Sequence, residues 1–242
     1  MQKSFKSVIF QAFFFMGLLF VLNLSLRAVF ILCFKDGVNG VNLGEFALFF
    51  YNAFRYDGQI IGVMSVVFFF LALLPKEKIV KIYAFLVIFI STFVSVANIG
   101  FYSIYQDVFN ASLLGLIYDD RKAIFETALG ADYGLTYKVL LWLVMSVLFY
   151  ALWAFFHAQI AKIQGKKFRI SLFVAFALLC LFEINGQIGL KGISLGKEIV
   201  PVPNAFLRQI TQGAFRDLLY VYMSYAKIAK SAFKDYTDES PL

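Results

Sequence analysis

The chain has little with which to do metal or redox chemistry. Its 242 residues include one histidine and two cysteines. Cys33 and Cys180 both sit inside apolar runs, so neither a disulfide framework nor a thiolate metal knuckle is indicated. Both read as small core residues. A zinc or manganese site needs converging His, Cys or carboxylate ligands, and the sequence offers no Cys–His or Asp–His cluster. His157 stands alone beside basic residues and reads as a boundary residue of an apolar run. No glycine-rich phosphate loop of the Walker type occurs, and no Ser/His/Asp constellation can be assembled. Charge is scarce as well. Only 15% of residues are Asp, Glu, Lys or Arg, against about a quarter in a soluble domain.

What is present is apolar. Hydrophobic residues make up 61% of the chain, with 31 Phe and 13 Tyr, and the mean hydropathy is +0.79. Aromatic side chains suit lipid-facing and interfacial positions alike. The net charge of +7 comes from basic residues that flank apolar runs, with no nucleic-acid motif among them. Nucleic acid is therefore not an expected partner. The first apolar run is far longer than the core of a signal peptide and has no small-residue cleavage site near its end, so it is expected to remain as an anchor.

A spanning helix needs about 20 mostly apolar residues. The sequence predicts five, at about 8–34, 60–74, 79–105, 137–158 and 169–184, the second and fifth being short. Backbone groups in lipid must bond within their own segment, which makes helix the assignment for each. The expectation is an all-α integral membrane protein. Lys3 and Lys6, then Lys76, Lys78 and Lys81, then Lys162, Lys166, Lys167 and Arg169 fall on one side; the two other loops are longer and richer in carboxylates. The positive-inside rule predicts a cytoplasmic N-terminus and an extracytoplasmic C-terminus.

Between the spans, Phe46–Phe54 is expected to lie at the outer interface as a separate helix, and Ala111–Leu129 to form one or two more. The connector 185–242 begins with a stretch rich in Gly and containing Pro201 and Pro203, which predicts irregular backbone. From about 205 to 234, Leu207, Ile210, Ala214, Leu218, Val221, Tyr225, Ile228 and Ala232 recur at steps of three and four. That is an amphipathic helix, with Gly213 a candidate kink. It is expected to rest on anionic headgroups through Arg208, Arg216, Lys227 and Lys230.

The ionisable residues within or beside the spans are the candidate site. Arg27, inside the first run, either snorkels to the interface or contacts a carboxylate or phosphate at the bundle mouth. Arg55 and Asp57 cannot share a helix face at i,i+2. One arrangement pairs Asp57 with Arg27 and leaves Arg55 for a phosphate; the other leaves a solvated interfacial pair. Glu183, at the end of the fifth run, is either interfacial or turned into the bundle.

Several segments in order resemble a known family. Arg55-Tyr56-Asp57 looks like an Arg-aromatic-Asp element at the head of a second span. Gly100–Gln106, Phe109-Asn110 and Tyr118–Phe125 look like that family's third span and following loop. Gly192–Gly196 and Pro203–Leu207 look like its connector. The family is that of the lipoteichoic-acid synthases, which groups phosphoglycerol and phosphoethanolamine transferases with a sulfatase-like outer domain. The resemblance covers nearly all of this chain but only the first part of a family member. It implies a bacterial cytoplasmic (inner) membrane and phospholipid partners. It also implies a separately encoded or downstream sulfatase-like catalytic domain. In the family a threonine nucleophile and a divalent-metal site belong to that domain. No matching positions exist here, so no catalytic or metal-binding residue is carried over, and no cofactor is expected in this chain. The expected function is a membrane module that presents a phospholipid donor. The alternative is a non-enzymatic scaffold, lipid-binding regulator or permease subunit.

Overall fold

A computed structural model describes residues 5–115, 134–163, 170–186 and 200–231, and among them every regular element is helical. Four helices are long and apolar enough to cross a membrane: α1 (Phe5–Cys33), α2 (Leu43–Leu73), α3 (Glu77–Tyr105) and α4 (Leu135–Ala161). At 1.5 Å per residue they are about 40–47 Å long, which exceeds the roughly 30 Å hydrocarbon layer. These helices mark the chain as a membrane protein. α5 (Ile170–Asn185) has 16 residues, or about 24 Å, fewer than the roughly 20 residues a crossing needs.

The helix ends alternate. At one end Phe30 of α1 and Tyr102 of α3 meet with ring centroids 5.2 Å apart, and Lys138 of α4 donates to Ser103 of α3 at 2.7 Å. At the other end Ser7 of α1 donates to the Ile160 carbonyl of α4 at 3.0 Å. The second end carries Lys6, Lys76, Lys78, Lys81 and Lys162 and is the basic end. The first carries exposed Tyr51, Tyr105 and Tyr137, residues that favour the membrane–water boundary; the tail returns here, so it is the tail end. The flanks between are apolar: Phe70, Val147, Phe155 and Leu181 are each 60% or more exposed, a surface suited to lipid rather than water.

The expected interfacial helix at 46–54 and the span at 60–74 are one continuous helix, α2. Asn42 caps it, its side chain accepting from the Glu45 amide at 2.9 Å and donating to the Glu45 carboxylate at 3.1 Å. The Arg55-Tyr56-Asp57-Gly58 stretch stays helical because its polar side chains find partners on neighbouring elements. Gly58 lies within this helix, and Glu183 of α5 occupies the space a Cβ would take there.

The tail also departs from the expected single helix over 205–234. It forms α6 (Ala205–Thr211) and α7 (Ala214–Ser231), separated at Gly213, whose φ is +82°. Leu207, Ile210, Ala214 and Val221 of the predicted face are buried, whereas Leu218 and Tyr225 are exposed. Asn204 caps α6 through the Leu207 amide at 2.9 Å and donates to the Gly37 carbonyl at 3.1 Å. Gly37 belongs to a 3₁₀ turn, Lys35–Val38, and a Cβ there would come within 2.6 Å of the Phe206 ring. That close seat fixes α6 on the turn after α1. The interfacial helices expected within 111–129 lie mostly outside the described residues, apart from a single turn at Ser112–Gly115. So do 187–199 of the connector, 232–242, and the side chain of Lys230.

The core divides in two. Toward the basic half, α1 to α5 pack through Phe15, Leu19, Phe68, Ala84, Ile88, Trp153 and Phe176. At the tail end Phe30, Phe49, Tyr56 and Tyr102 form a second cluster with Val202, Phe206, Leu207 and Ile210 of the returning tail. Among the polar ties between spans, Thr92 bonds Ser146 at 2.6 Å and Tyr83 donates to the Met64 carbonyl at 2.9 Å. Trp142 donates to the Phe89 carbonyl at 3.1 Å. Such bonds assist packing where lipid removes the hydrophobic drive between helices.

Candidate functional site

The ionisable residues singled out in the spans gather at the tail end. Arg27 of α1 and Asp57 of α2 form a two-pronged ion pair: Nη2 lies 2.6 Å from Oδ1, and Nε donates to Oδ2 at 3.3 Å. Their side chains are 8% and 14% exposed. The parallel prongs match the guanidinium fork to the carboxylate plane, the geometry that makes such pairs strong. The third arm, Nη1, donates to the backbone carbonyl of Ile210 at the end of α6. Arg27 therefore joins the first helix, the second helix and the tail.

Gly213 is required beside this pair for two reasons. Its positive φ is one that residues with a Cβ rarely adopt. In addition, a Cβ there would lie 2.8 Å from Arg27 Nη2 and 3.0 Å from Asp57 Oδ1. The chain passes over the ion pair with only a hydrogen atom between.

On the same turn of α2, Tyr56 and Gln59 receive Arg216 of α7. Its guanidinium carbon sits 4.5 Å from the Tyr56 ring centroid, and Nη1 donates to Gln59 Oε1. Arg216 is 2% exposed, so it is an internal anchor of the tail. This differs from the expected contact of Arg216 with anionic headgroups. The break at Gly213 re-aims the helix. Arg208 and Lys227, by contrast, are exposed.

Arg55 caps the end of α5. Its Nε donates to the Gly186 carbonyl at 2.9 Å, and Nη1 donates to Asn52 Oδ1 at 3.2 Å. Its guanidinium also lies 5.5 Å from the Tyr51 ring. Arg55 thus ties α2 to the end of α5. Glu183 turns into the bundle, 3% exposed, with Oε2 against Gly58. Gly62 provides the next gap: a Cβ there would come within 2.9 Å of Ile184. Gly58 and Gly62 at i,i+4 form the small-residue stripe that lets α5 approach α2.

Three participants went unnoticed in the sequence. Asn98 of α3 accepts from the Phe109 amide at 2.9 Å and lies 3.5 Å from Asp217 of α7. Gln59 also donates to the Ile184 carbonyl at 3.3 Å. Asp107 accepts from Gln209 of α6 at 3.1 Å. Asn98 did carry a signal: an uncharged polar side chain inside an apolar run is expensive unless it has a partner. His157 lies far from this group, at the basic end, stacked on Trp153 with centroids 4.6 Å apart. Its Nε2 is 3.9 Å from Glu77 Oε1.

The cluster can clamp and orient. Small cavities beside the ion pair are lined by Asn23, Asp57, Ser95 and Gly213, polar enough to suit water. Among the described residues, no three His, Cys, Asp or Glu side chains are grouped so as to hold a metal ion. Against known proteins, no family model, curated protein or solved structure matches this chain.

Proposed function

We propose that this chain is the membrane module of a lipoteichoic-acid-synthase-like phosphotransferase, seated in a bacterial cytoplasmic membrane. α1 to α5 make five crossings, with the N-terminus in the cytoplasm and the tail outside. The module holds phospholipid and mounts a metal-dependent sulfatase-like domain that performs headgroup transfer. This chain contributes the mount.

The observation that supports the reading most is the fixed return of the tail. A segment that only tethered a distant domain would need no ties to the bundle. Here Arg27, Asp57, Gly213 and Arg216 hold the segment after α5 against α1 and α2. A locked tail sets the height and direction of whatever follows it. Lysines at the basic end and exposed tyrosines at the tail end support the stated orientation.

Two measurements test it. A membrane-impermeant maleimide should label the exposed Cys33, at the tail end of α1, in intact cells; protection there with labelling only after lysis rejects the orientation. Phosphatidylglycerol or phosphatidylethanolamine with a fluorescent acyl chain, supplied with manganese, should yield diacylglycerol only when a sulfatase-like domain is co-produced with the chain. Headgroup transfer by the purified chain alone would overturn the division of labour. Failure of any such domain to restore transfer favours the scaffold or permease alternative.

A further inference from the structure

We propose that the tail re-enters the membrane and turns at Gly213 on internal water, held in a pocket among α1, α2, α3 and the start of α7. The inference rests on the membrane-spanning part of the reading above, but not on phosphotransfer.

Depth is the first observation. Ser91 and Ser95 lie about 15 and 21 Å along α3 from the exposed Lys81 at the basic end. The hydrocarbon layer is roughly 30 Å thick, so both serines stand inside it. Gly213 and Ala214 line the same two cavities as Ser95. The break between α6 and α7 is therefore at hydrocarbon depth. A broken helix there needs protein groups or a water-filled cavity to satisfy its backbone.

The protein meets that need only in part. The amides of Arg216 and Asp217 reach the Gly213 carbonyl, each at 3.1 Å. Those of Ala214 and Phe215, the first two of α7, make no hydrogen bond among the described residues. Both residues border the first cavity. Around it also stand Asn23 of α1 and, at i,i+4 on one face of α3, Ser91 and Ser95. No hydrogen bond joins any of these three side chains to another described residue, although Ser91 is only 2% exposed. Asp57 accepts from Arg27 alone among the described residues, and a carboxylate offers about four acceptor sites.

This mixed set decides the occupant. An anion would meet the Asp57 carboxylate, and a cation would meet the Arg27 guanidinium 2.6 Å from it. Water donates to the carboxylate and accepts from amides and hydroxyls with one molecule. The cavities enclose about 20 and 30 Å³. A water needs roughly 10–15 Å³, so either cavity has room for a water or two and for nothing much larger. Toward the basic end Leu19 and Ile61, each 1% exposed, close the first cavity with core side chains. The water thus belongs to the joint of the tail.

Met64 lines the first cavity and supplies the readout. The full chain in lipid nanodiscs is given a brief X-ray pulse, which makes hydroxyl radicals from any water present. Methionine sulfoxide is then read by mass spectrometry. Met64 should be oxidised several-fold faster than Met145, half-buried on α4, and than Met16, 3% exposed in the apolar core. Ser91→Leu, which fills the cavity, should bring Met64 down to the rate of Met145. Ser91→Val should do so in part, and it serves if the leucine variant loses its protection from trypsin at Arg216. Replacing sodium chloride by choline chloride at equal strength should leave the melting temperature unchanged. Met64 oxidised no faster than Met145 in the unaltered chain would mean a dry turn and overturn the proposal. So would a Met64 rate unchanged by whichever filling variant keeps Arg216 protected. A melting temperature raised by sodium would overturn it in favour of a cation. No catalytic domain is present in the nanodiscs, so the result is independent of whether headgroup transfer is ever observed.

Discussion

The two ends of the bundle are built on different principles. Toward the basic end, rings and aliphatic chains hold the helices together: Phe15 stacks on Phe68 at 4.3 Å, Phe69 packs on Phe176 at 5.3 Å, and Trp153 stacks on His157. Toward the tail end, directed polar ties do the joining, from Arg27 to Asp57 and Ile210, from Arg55 to Gly186, and from Arg216 to Gln59. Lipid tails are as apolar as leucine, so contact alone gives spanning helices only packing energy. The short tail packs Val202, Phe206, Leu207 and Ile210 into the second cluster, but it has less apolar area to bury than a spanning helix. To be held it needs bonds that water or headgroups cannot easily replace. The tail end supplies them.

The contrast can be broken most severely at Asp57. Asp57→Ala leaves the Arg27 guanidinium buried without its carboxylate, a loss of about 3–5 kcal/mol for a broken buried pair. The tail should detach, and trypsin should then cut after Arg216, which is 2% exposed in the native fold. Continued protection of Arg216 would show that the pair does not hold the tail. Gly213→Ala attacks the same joint through the backbone. Strain at a positive φ costs about 1–3 kcal/mol, and a methyl 2.8 Å from Arg27 Nη2 adds to it. A lowered melting temperature with partial cleavage at Arg216 is expected; a melting temperature equal to that of the unaltered chain would refute the close approach.

Phe15→Ala sharpens the comparison from the other half. In water-soluble cores such a truncation costs about 3–5 kcal/mol. Here lipid offsets the transfer term, so the melting temperature should fall by less than in Asp57→Ala, with Arg216 still protected from trypsin. Cleavage there would mean the two halves unfold as one. The smallest effect is expected at Lys227, which is exposed on α7. Lys227→Ala should change stability by no more than about 0.5 kcal/mol, as measured by the same melting curve.

The long helices were legible because unbroken apolar runs in lipid admit little else. The Arg27–Asp57 pair was legible for a related reason: a charge inside such a run demands a partner. The role of Gly58 was not legible, because only the packed helices show that it makes room for Glu183 across an interface. The polar stretch after residue 54 predicts a boundary, yet the helix runs through it because those side chains find partners on neighbouring elements. The burial of Arg216 could not be read from helical spacing, since a one-residue change of direction at Gly213 decides which side of α7 faces inward.

The bond from Arg27 to the Ile210 carbonyl spans 183 residues of sequence. A chain is synthesised at about 5–20 residues per second, so Ile210 emerges roughly 10–40 s after Arg27. Asp57, 30 residues away, follows within roughly 2–6 s at the same rate. During its birth the protein therefore holds a half-made clamp, with the carboxylate in place and the third arm of the arginine still waiting for the tail.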